Sequence, residues 1–344
     1  MEESSAPRIG GLGNGNGGCC SSLPTAVRRL PPADCRLVGT WRRAFLWVAL
    51  FLAAGPLAEA ASLDLGAIRD KLANQAILLT QRYAPQRVAQ PPDWALRKDP
   101  PLATVAALAD SHYDDTGRTA WTRPSRDRLL KALRFPSATA KPQAVIHLGD
   151  IIAYGDVEQL RHAKALLNTQ LAVPFHAVPG NHDGPGYEAV FGPRHTSFAI
   201  GGVRFIGIGI TNWHWDSGWG IYEGIPWLQA ELAAHANEPT LVLTHAPIAL
   251  PAFANNAAVL ALLDAQPQVL GVLAGHLHVD YQFPLATPHL GFPMLVRPPY
   301  GFKVLQIYPD AILIFTYEEE NGVYRQANVY QRITIPARFR VERK

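Results

Sequence analysis

Five short apolar runs in this chain each stop at a cluster of aspartate, asparagine or histidine, and no other feature constrains the fold as much. "LATVAALAD" leads to Asp110-Ser111-His112, "AVIHLGD" to Gly149-Asp150, and "FHAVPGNHD" to Gly180-Asn181-His182-Asp183. "TLVLTHAP" contains Thr244-His245, and "VLGVLAGHLH" closes on Gly275-His276-Leu277-His278. Between them lie "RDRLLKALRF", "DVEQLRHAKALLN", "PWLQAELAAHA" and "NNAAVLALLDAQ", whose apolar residues recur at helical spacing. Runs of this kind alternating with helices predict α/β layers with strands buried on both faces. Ligands in such folds bind beyond the carboxyl ends of the strands, so five separate segments are expected to meet on one rim. "TSFAIGGVRFIGIGI" reads as a hairpin turning at Gly201-Gly202, and the segments after His289 are rich in strand patterns. No internal repeat, Walker-type loop or dinucleotide fingerprint is present, which removes the common nucleotide-binding modules.

The chemistry at these five ends is of one kind. They bring together two carboxylates, an amide oxygen and four imidazoles, with His182 in addition. Oxygen and nitrogen donors without thiolates suit Mn, Fe, Zn and related divalent ions. Seven donors exceed the needs of one tetrahedral ion; with one carboxylate bridging, they divide into two sets of four. In an extended segment residues i and i+2 share a side, so Asp110 pairs with His112 and His276 with His278, while Ser111 and Leu277 point elsewhere. Glycines before Asp150, Asn181 and His276 allow close backbone approach. Alone, "PGNHDGPG" is a turn; the other four strand ends make it a site.

The set D-x-H, G-D, G-N-H-[D/E], H, G-H-x-H, complete and in order between about Thr104 and Tyr317, resembles the calcineurin-like metallophosphoesterases. The resemblance implies an α/β fold, a four-layer α/β/β/α sandwich of two mixed sheets with a dinuclear metal site at strand ends. It implies that Asp110, His112, Asp150 and His278 hold one divalent transition-metal ion (Mn, Fe or Zn), and Asp150, Asn181, His245 and His276 the other, with Asp150 as the bridge. His182 is then the general acid that protonates the leaving oxygen, after in-line attack on phosphorus by a metal-bridging hydroxide. Purple acid phosphatases, a related branch, carry a metal-bound tyrosine three residues after the G-D aspartate and lack the first-motif histidine. Here those positions are Ala153 and His112, so a tyrosinate-iron site is not expected. The nearer resemblance is to phosphodiesterases and phosphatases with all five motifs, bacterial cyclic-nucleotide phosphodiesterases among them. A small-molecule phosphoester is the expected partner. Asp183 reads as support for a neighbouring ligand, and His214 and Trp215 as substrate candidates; His147 and His176 read as packed strand residues, and Asp114, Asp115 and Arg118 as loop. The alternative is a non-catalytic metal-binding or scaffold protein on the same fold, which a missing ligand would favour; none is missing.

The rest of the chain bears on location. "WRRAFLWVALFLAAGPLAEAAS" has the parts of a signal peptide: Arg42-Arg43, an apolar run and an Ala58-Glu59-Ala60 cleavage site. Residues 38–60 are therefore expected to be removed after Ala60, leaving a periplasmic or secreted protein with no stable membrane span. The arginine pair also resembles a twin-arginine signal, from which Trp41 and Trp47 depart. Residues 1–37, rich in Gly, Ser and Pro, are expected to be disordered or a mis-called start, with a true start near Val38. Residues 61–100 read as a helical arm and a Pro-rich connector, 101–335 as the metallophosphoesterase domain and 336–344 as a basic tail. The net charge of +3 shrinks to 25 basic against 24 acidic groups once residues 1–60, with six and four, are set aside, and a near-neutral body has no footprint for nucleic acid. All three cysteines lie in the first 40 residues, so the mature chain has no disulfide or thiolate site.

Overall fold

The computed structural model describes residues 82–116, 125–135, 141–209, 211–214, 219–221, 224–249, 255–296 and 298–341, the backbone alone at 211–214 and 219–221. All of them belong to the compact unit Asp64–Lys344. The extension 1–37, the expected signal peptide, the helix expected in the arm, Arg118, Trp215 and the end of the basic tail lie outside the described residues.

In chain order the described residues form β1 (Ala103–Leu108), α1 (Ser125–Leu133), β2 (Ala144–His147), α2 (Val157–Gln170), β3 (Phe175–Ala177) and α3 (Tyr187–Phe191). Next come β4 (Thr196–Ile200), β5 (Val203–Gly207), β6 (Thr211–His214), β7 (Trp219–Ile221), α4 (Ile225–Ala234), β8 (Thr240–Thr244) and α5 (Asn256–Asp264). The last are β9 (Val269–Ala274), β10 (Tyr281–Phe283), β11 (His289–Gly291), β12 (Gly301–Ile307), β13 (Ala311–Glu320) and β14 (Val323–Thr334). Two six-stranded sheets result, ordered β14-β13-β12-β1-β2-β3 and β10-β11-β9-β8-β5-β4, with β6-β7 a separate ribbon. Both large sheets are mixed. In the first, β1, β2 and β3 run parallel and β12 to β14 antiparallel; in the second, β5, β8, β9 and β11 are parallel.

The continuous apolar runs follow from burial on both faces of each sheet. Along β1, Val105 and Ala107 face the other sheet, where they meet Phe205, Leu241 and Leu243. Ala106 and Leu108, between them in sequence, face the layer of α1 and α2 with Leu129, Leu133, Leu160 and Leu167. Val242 on β8 likewise turns outward, to Leu228 and Leu232 of α4 and Val259 and Leu263 of α5. This is the α/β/β/α sandwich, and each fully buried leucine, isoleucine or valine stabilises it by about 1.5–3 kcal/mol of transfer free energy.

Local signals place the helices and turns. Asp156 caps α2, its Oδ1 accepting the Glu158 amide at 2.9 Å, and Leu160, Ala163 and Leu167 bury one face at helical spacing. On the same face Gln159 donates to Asp114 Oδ1 at 3.3 Å, tying α2 to the loop after His112. Between β4 and β5, Gly201 and Gly202 have φ of 57° and 78° and Ile200 pairs with Val203, which is the two-residue turn that needs positive φ at both positions. Residues preceding β1 lie against this framework: Arg87 bridges to Val329, Gln282 donates its amide to the Tyr83 carbonyl at 2.9 Å, and Trp94 meets Tyr330 edge-on. Among the described residues no helix is long and apolar enough to cross a membrane.

Candidate metal centre

Every polar cluster noted above follows a parallel strand. Asp110 and His112 come after β1, Asp150 after β2, Asn181 to Asp183 after β3, His245 after β8, and His276 and His278 after β9. Sheet pairing sets these carboxyl ends side by side within each sheet, and face-to-face packing brings the two groups together.

The backbone then does something that residue spacing does not show. Among the described residues seven non-glycine positions have positive φ, and five of them are Asp110 (51°), His112 (41°), Asp150 (54°), His276 (69°) and His278 (61°). The expectation that the i, i+2 pairs converge through strand alternation is therefore corrected. The strands end two residues earlier, at Leu108 and Ala274, and left-handed turns aim the side chains. Such conformations are uncommon for aspartate and histidine and persist where the surroundings over-determine them. The surroundings here are tight: a Cβ on Gly180 would lie 2.2 Å from Asp150 Oδ1, and one on Gly275 2.7 Å from Asp110 Oδ2.

Two groups of donor atoms result, Asp110, His112, Asp150 and His278, and Asp150, His245 and His276; within each the atoms lie within 4.8 Å of one another, and Asp150 belongs to both. In the first, His278 Nε2 is 3.1 Å from Asp110 Oδ1 and 3.4 Å from His112 Nε2, which is 3.6 Å from Asp150 Oδ2. In the second, His245 Nε2 is 3.2 Å from Asp150 Oδ2, and Asn181 Oδ1 lies 3.0 Å from both His245 Nε2 and His276 Nδ1. The centre is buried, with Asp110 and His245 fully so.

These atoms fit a pair of cations. His245 Nδ1 donates to the Leu148 carbonyl at 2.7 Å, which leaves its Nε2 facing His276 Nδ1 at 3.2 Å. His112 Nε2 and His278 Nε2 oppose each other in the same way. Nitrogens that face nitrogens repel unless a proton or a cation lies between them, and a divalent ion in each group answers all the contacts at once. Burial pushes the His112 and His276 imidazoles down to about 4 and about 3, so both are neutral at pH 7, the form in which an imidazole donates to a metal. Burial alone would also lower His245, but the Asp150 carboxylate lifts it to about 9. Burial likewise opposes the charge of Asp150, yet the His245, His112 and His182 rings hold that carboxyl well below the usual range. A cation would take over the role those protons play.

His182 stands beside the centre. Its Nδ1 donates to the Ala153 carbonyl at 2.6 Å, its amide donates to Asp150 Oδ1 at 2.8 Å, and its Nε2 is 3.9 Å from Asp150 Oδ2, with about a fifth of the side chain exposed. Asp183 is fully buried and receives the Ile152 amide at 3.1 Å and the Gly180 amide at 2.7 Å, fastening the Asp150 loop to the Asn181 loop. Burial first, and then the nearby Asp150, push the Asp183 carboxyl up to about 7 against those two bonds.

Other candidates have structural places. Ser111 turns away from the centre and donates to the Ile151 carbonyl at 2.8 Å, and His147 Nε2 lies 3.0 Å from its hydroxyl oxygen. His176 stacks on Phe198 with ring centroids 3.6 Å apart, and Leu277 packs beside Tyr281 and Phe283. Asp114 organises its own loop through the Thr116 amide and hydroxyl, and Asp115 meets His162 at 2.5 Å. The backbone of His214 lies on β6; its side chain, like Trp215, is outside the described residues. Sequence reasoning missed the left-handed positions, the Ala153 carbonyl and the two amides bound by Asp183. None of these has a residue-type signal, since each is a backbone property.

A 3',5'-cyclic-nucleotide phosphodiesterase of Nostoc sp. is 26% identical over 236 residues, 60% of this chain and 88% of that protein. A glycerophosphodiester phosphodiesterase of Enterobacter lignolyticus is 28% identical over 159 residues, 40% of this chain and 56% of that protein. The fold is that of a dimetal phosphatase from Danio rerio, at a TM-score of 0.54 and 20% identity, over 68% of this chain and 99% of that one. Residues 103–280, more than half of the chain, match the family described as calcineurin-like phosphoesterase, and this chain belongs to that family.

Proposed function

We propose that this chain is an exported hydrolase of small phosphoesters that works with two divalent transition-metal ions. The observation that carries the reading is the pair of donor groups joined at Asp150. In this reading Asp110, His112, Asp150 and His278 hold one ion and Asp150, Asn181, His245 and His276 the other. Bound there, the ions would supply an acidified water at neutral pH and neutralise charge on the phosphoryl oxygens. The remaining work belongs to the protein. With Nδ1–H engaged by the Ala153 carbonyl, His182 is fixed in orientation and presents Nε2 toward the centre, where it gives a proton to the departing ester oxygen. Asp183 keeps the loops of Asp150 and His182 in register. The similar proteins are described as cyclic-nucleotide and glycerophosphodiester phosphodiesterases, which supports a phosphodiester as substrate, with monoesters second.

The test is a metal count on the purified protein, followed by assays of bis(p-nitrophenyl) phosphate and p-nitrophenyl phosphate with Mn, Fe, Zn and Co. Two ions per chain with diester hydrolysis is the expected result. Two ions with silence on every ester would assign the chain to the non-catalytic alternative. Export is checked separately by sequencing the N-terminus of protein from the periplasm or medium. A start at Ala61 supports it, and retention of the uncut chain in the cytoplasm overturns it.

A further inference from the structure

Behind the second histidine motif lies a buried charged network outside the proposed ligand set. Lys303, on β12, has a side chain that is 0% exposed. Its ammonium donates to Asp280 Oδ1 at 2.6 Å and to Gln331 Oε1, with the Phe292 ring 5.4 Å away. The other oxygen of Asp280 accepts the Thr316 hydroxyl at 2.9 Å, and Gln331 Nε2 donates to Gln282 Oε1 at 3.2 Å. Lys303, Thr316 and Gln331 thus come from β12, β13 and β14, adjacent strands of the first sheet. Gln282 belongs to the second, on β10, and Asp280 immediately precedes that strand on the segment that leaves β9 through His276 and His278.

Two features make this more than packing. Lys303 and Thr316 are register partners, and the ladder between β13 and β14 slips between Phe315 and Tyr317, so Thr316 sits on the irregularity. Bulges of this kind re-aim a side chain, and this one directs a hydroxyl at Asp280. In addition, burying an ammonium is costly even when it is paired, and an apolar residue would fill the same volume without that cost. His276 and His278 both stand at positive φ, four and two residues before Asp280, and such turns revert unless held.

We propose that Lys303, Thr316 and Gln331 form a clamp across the two sheets that acts through Asp280 to hold the His276-x-His278 turn in its metal-receiving conformation. Lys303 and Asp280 are positioning residues. The inference rests on the two-metal reading above and adds the means by which the first sheet sets ligand geometry in the second. The test compares metal affinity, by competition with a chromophoric chelator, and the Co(II) absorption spectrum in the full-length protein, Lys303→Met, Asp280→Asn and the milder Thr316→Val. Folding of each is checked by circular dichroism. Loss of about 10- to 100-fold in affinity for at least one ion is expected for the first two variants, with a smaller loss for Thr316→Val and recovery in Lys303→Arg. Wild-type affinity and an unaltered Co(II) spectrum in the folded variants, with only the melting temperature moved, would overturn the clamp alone. Should Lys303→Met and Asp280→Asn fail to fold, Thr316→Val decides by the same criterion. A wild-type protein that takes up no metal would overturn the two-metal reading and the clamp with it.

Discussion

At the scale of single residues, the site divides its labour by which atom each side chain has left over. His245 spends Nδ1–H on the Leu148 carbonyl and keeps Nε2 for the centre, while His182 spends Nδ1–H on the Ala153 carbonyl and keeps Nε2 at the rim. The two imidazoles are oriented by the same device, yet one is fully buried and the other partly open. Only the open one can meet a leaving group and exchange its proton with solvent. Replacing His182 by Ala is therefore expected to lower kcat by about 10²- to 10⁴-fold, the usual range for a lost general acid, and to leave metal content nearly intact. Mass spectrometry of bound metal beside the kinetics checks this; parallel loss of both would make His182 a ligand.

At the scale of elements, the centre depends on loops approaching more closely than side chains permit. Gly275, which follows β9, passes Asp110 so tightly that an added methyl would sit 2.7 Å from Oδ2 and 3.0 Å from the Ala109 Cβ. The same carboxylate accepts the His276 amide, at 3.0 Å to Oδ2, so moving it disturbs both Asp110 and the His276-x-His278 turn. Gly275→Ala should fold and lose at least one equivalent of metal, with a melting temperature lowered chiefly in the metal-loaded state. Thermal melts with and without chelator check it, and an equal drop in both would reduce Gly275 to a packing position.

For the whole molecule, the layers carry stability and its pH dependence together. His289, on β11, is fully buried; Nδ1 donates to the Thr287 carbonyl at 2.8 Å, and Nε2 finds no partner among the described residues. Burial pushes its pKa down to about 4, below the value of about 6.5 in an unfolded chain. Between those values the unfolded state binds more protons, so the contribution of this residue is complete above pH 6.5 and is lost as pH falls from there to about 4. The loss amounts to roughly 3 kcal/mol by pH 4. Denaturant titrations of wild type and His289→Gln at pH 7 and 4.5 should show the variant less sensitive to acid; identical slopes would place the acid limb elsewhere.

What was readable in the linear chain was whatever repeats at strand and helix period or depends on residue type. Apolar runs with the same burial requirement on both faces announced the α/β layers, Gly201-Gly202 announced a turn, and five clusters of oxygen and nitrogen donors announced one metal chemistry. Tertiary structure alone decided how those clusters meet. The left-handed turns at Asp110, His112, Asp150, His276 and His278 replace the alternation that spacing suggested, and Asp183 chooses as partners two amides that no residue type could reveal. Lys303 carries no signal of its own in the linear chain; β12, β13 and β14 bring Thr316 and Gln331 beside it, facing Asp280 from across the core. The physical reason is common to all three. Residue type and period report what a segment must bury, whereas the direction of a side chain at a strand end is set by hydrogen bonds and close contacts from segments far away in the chain.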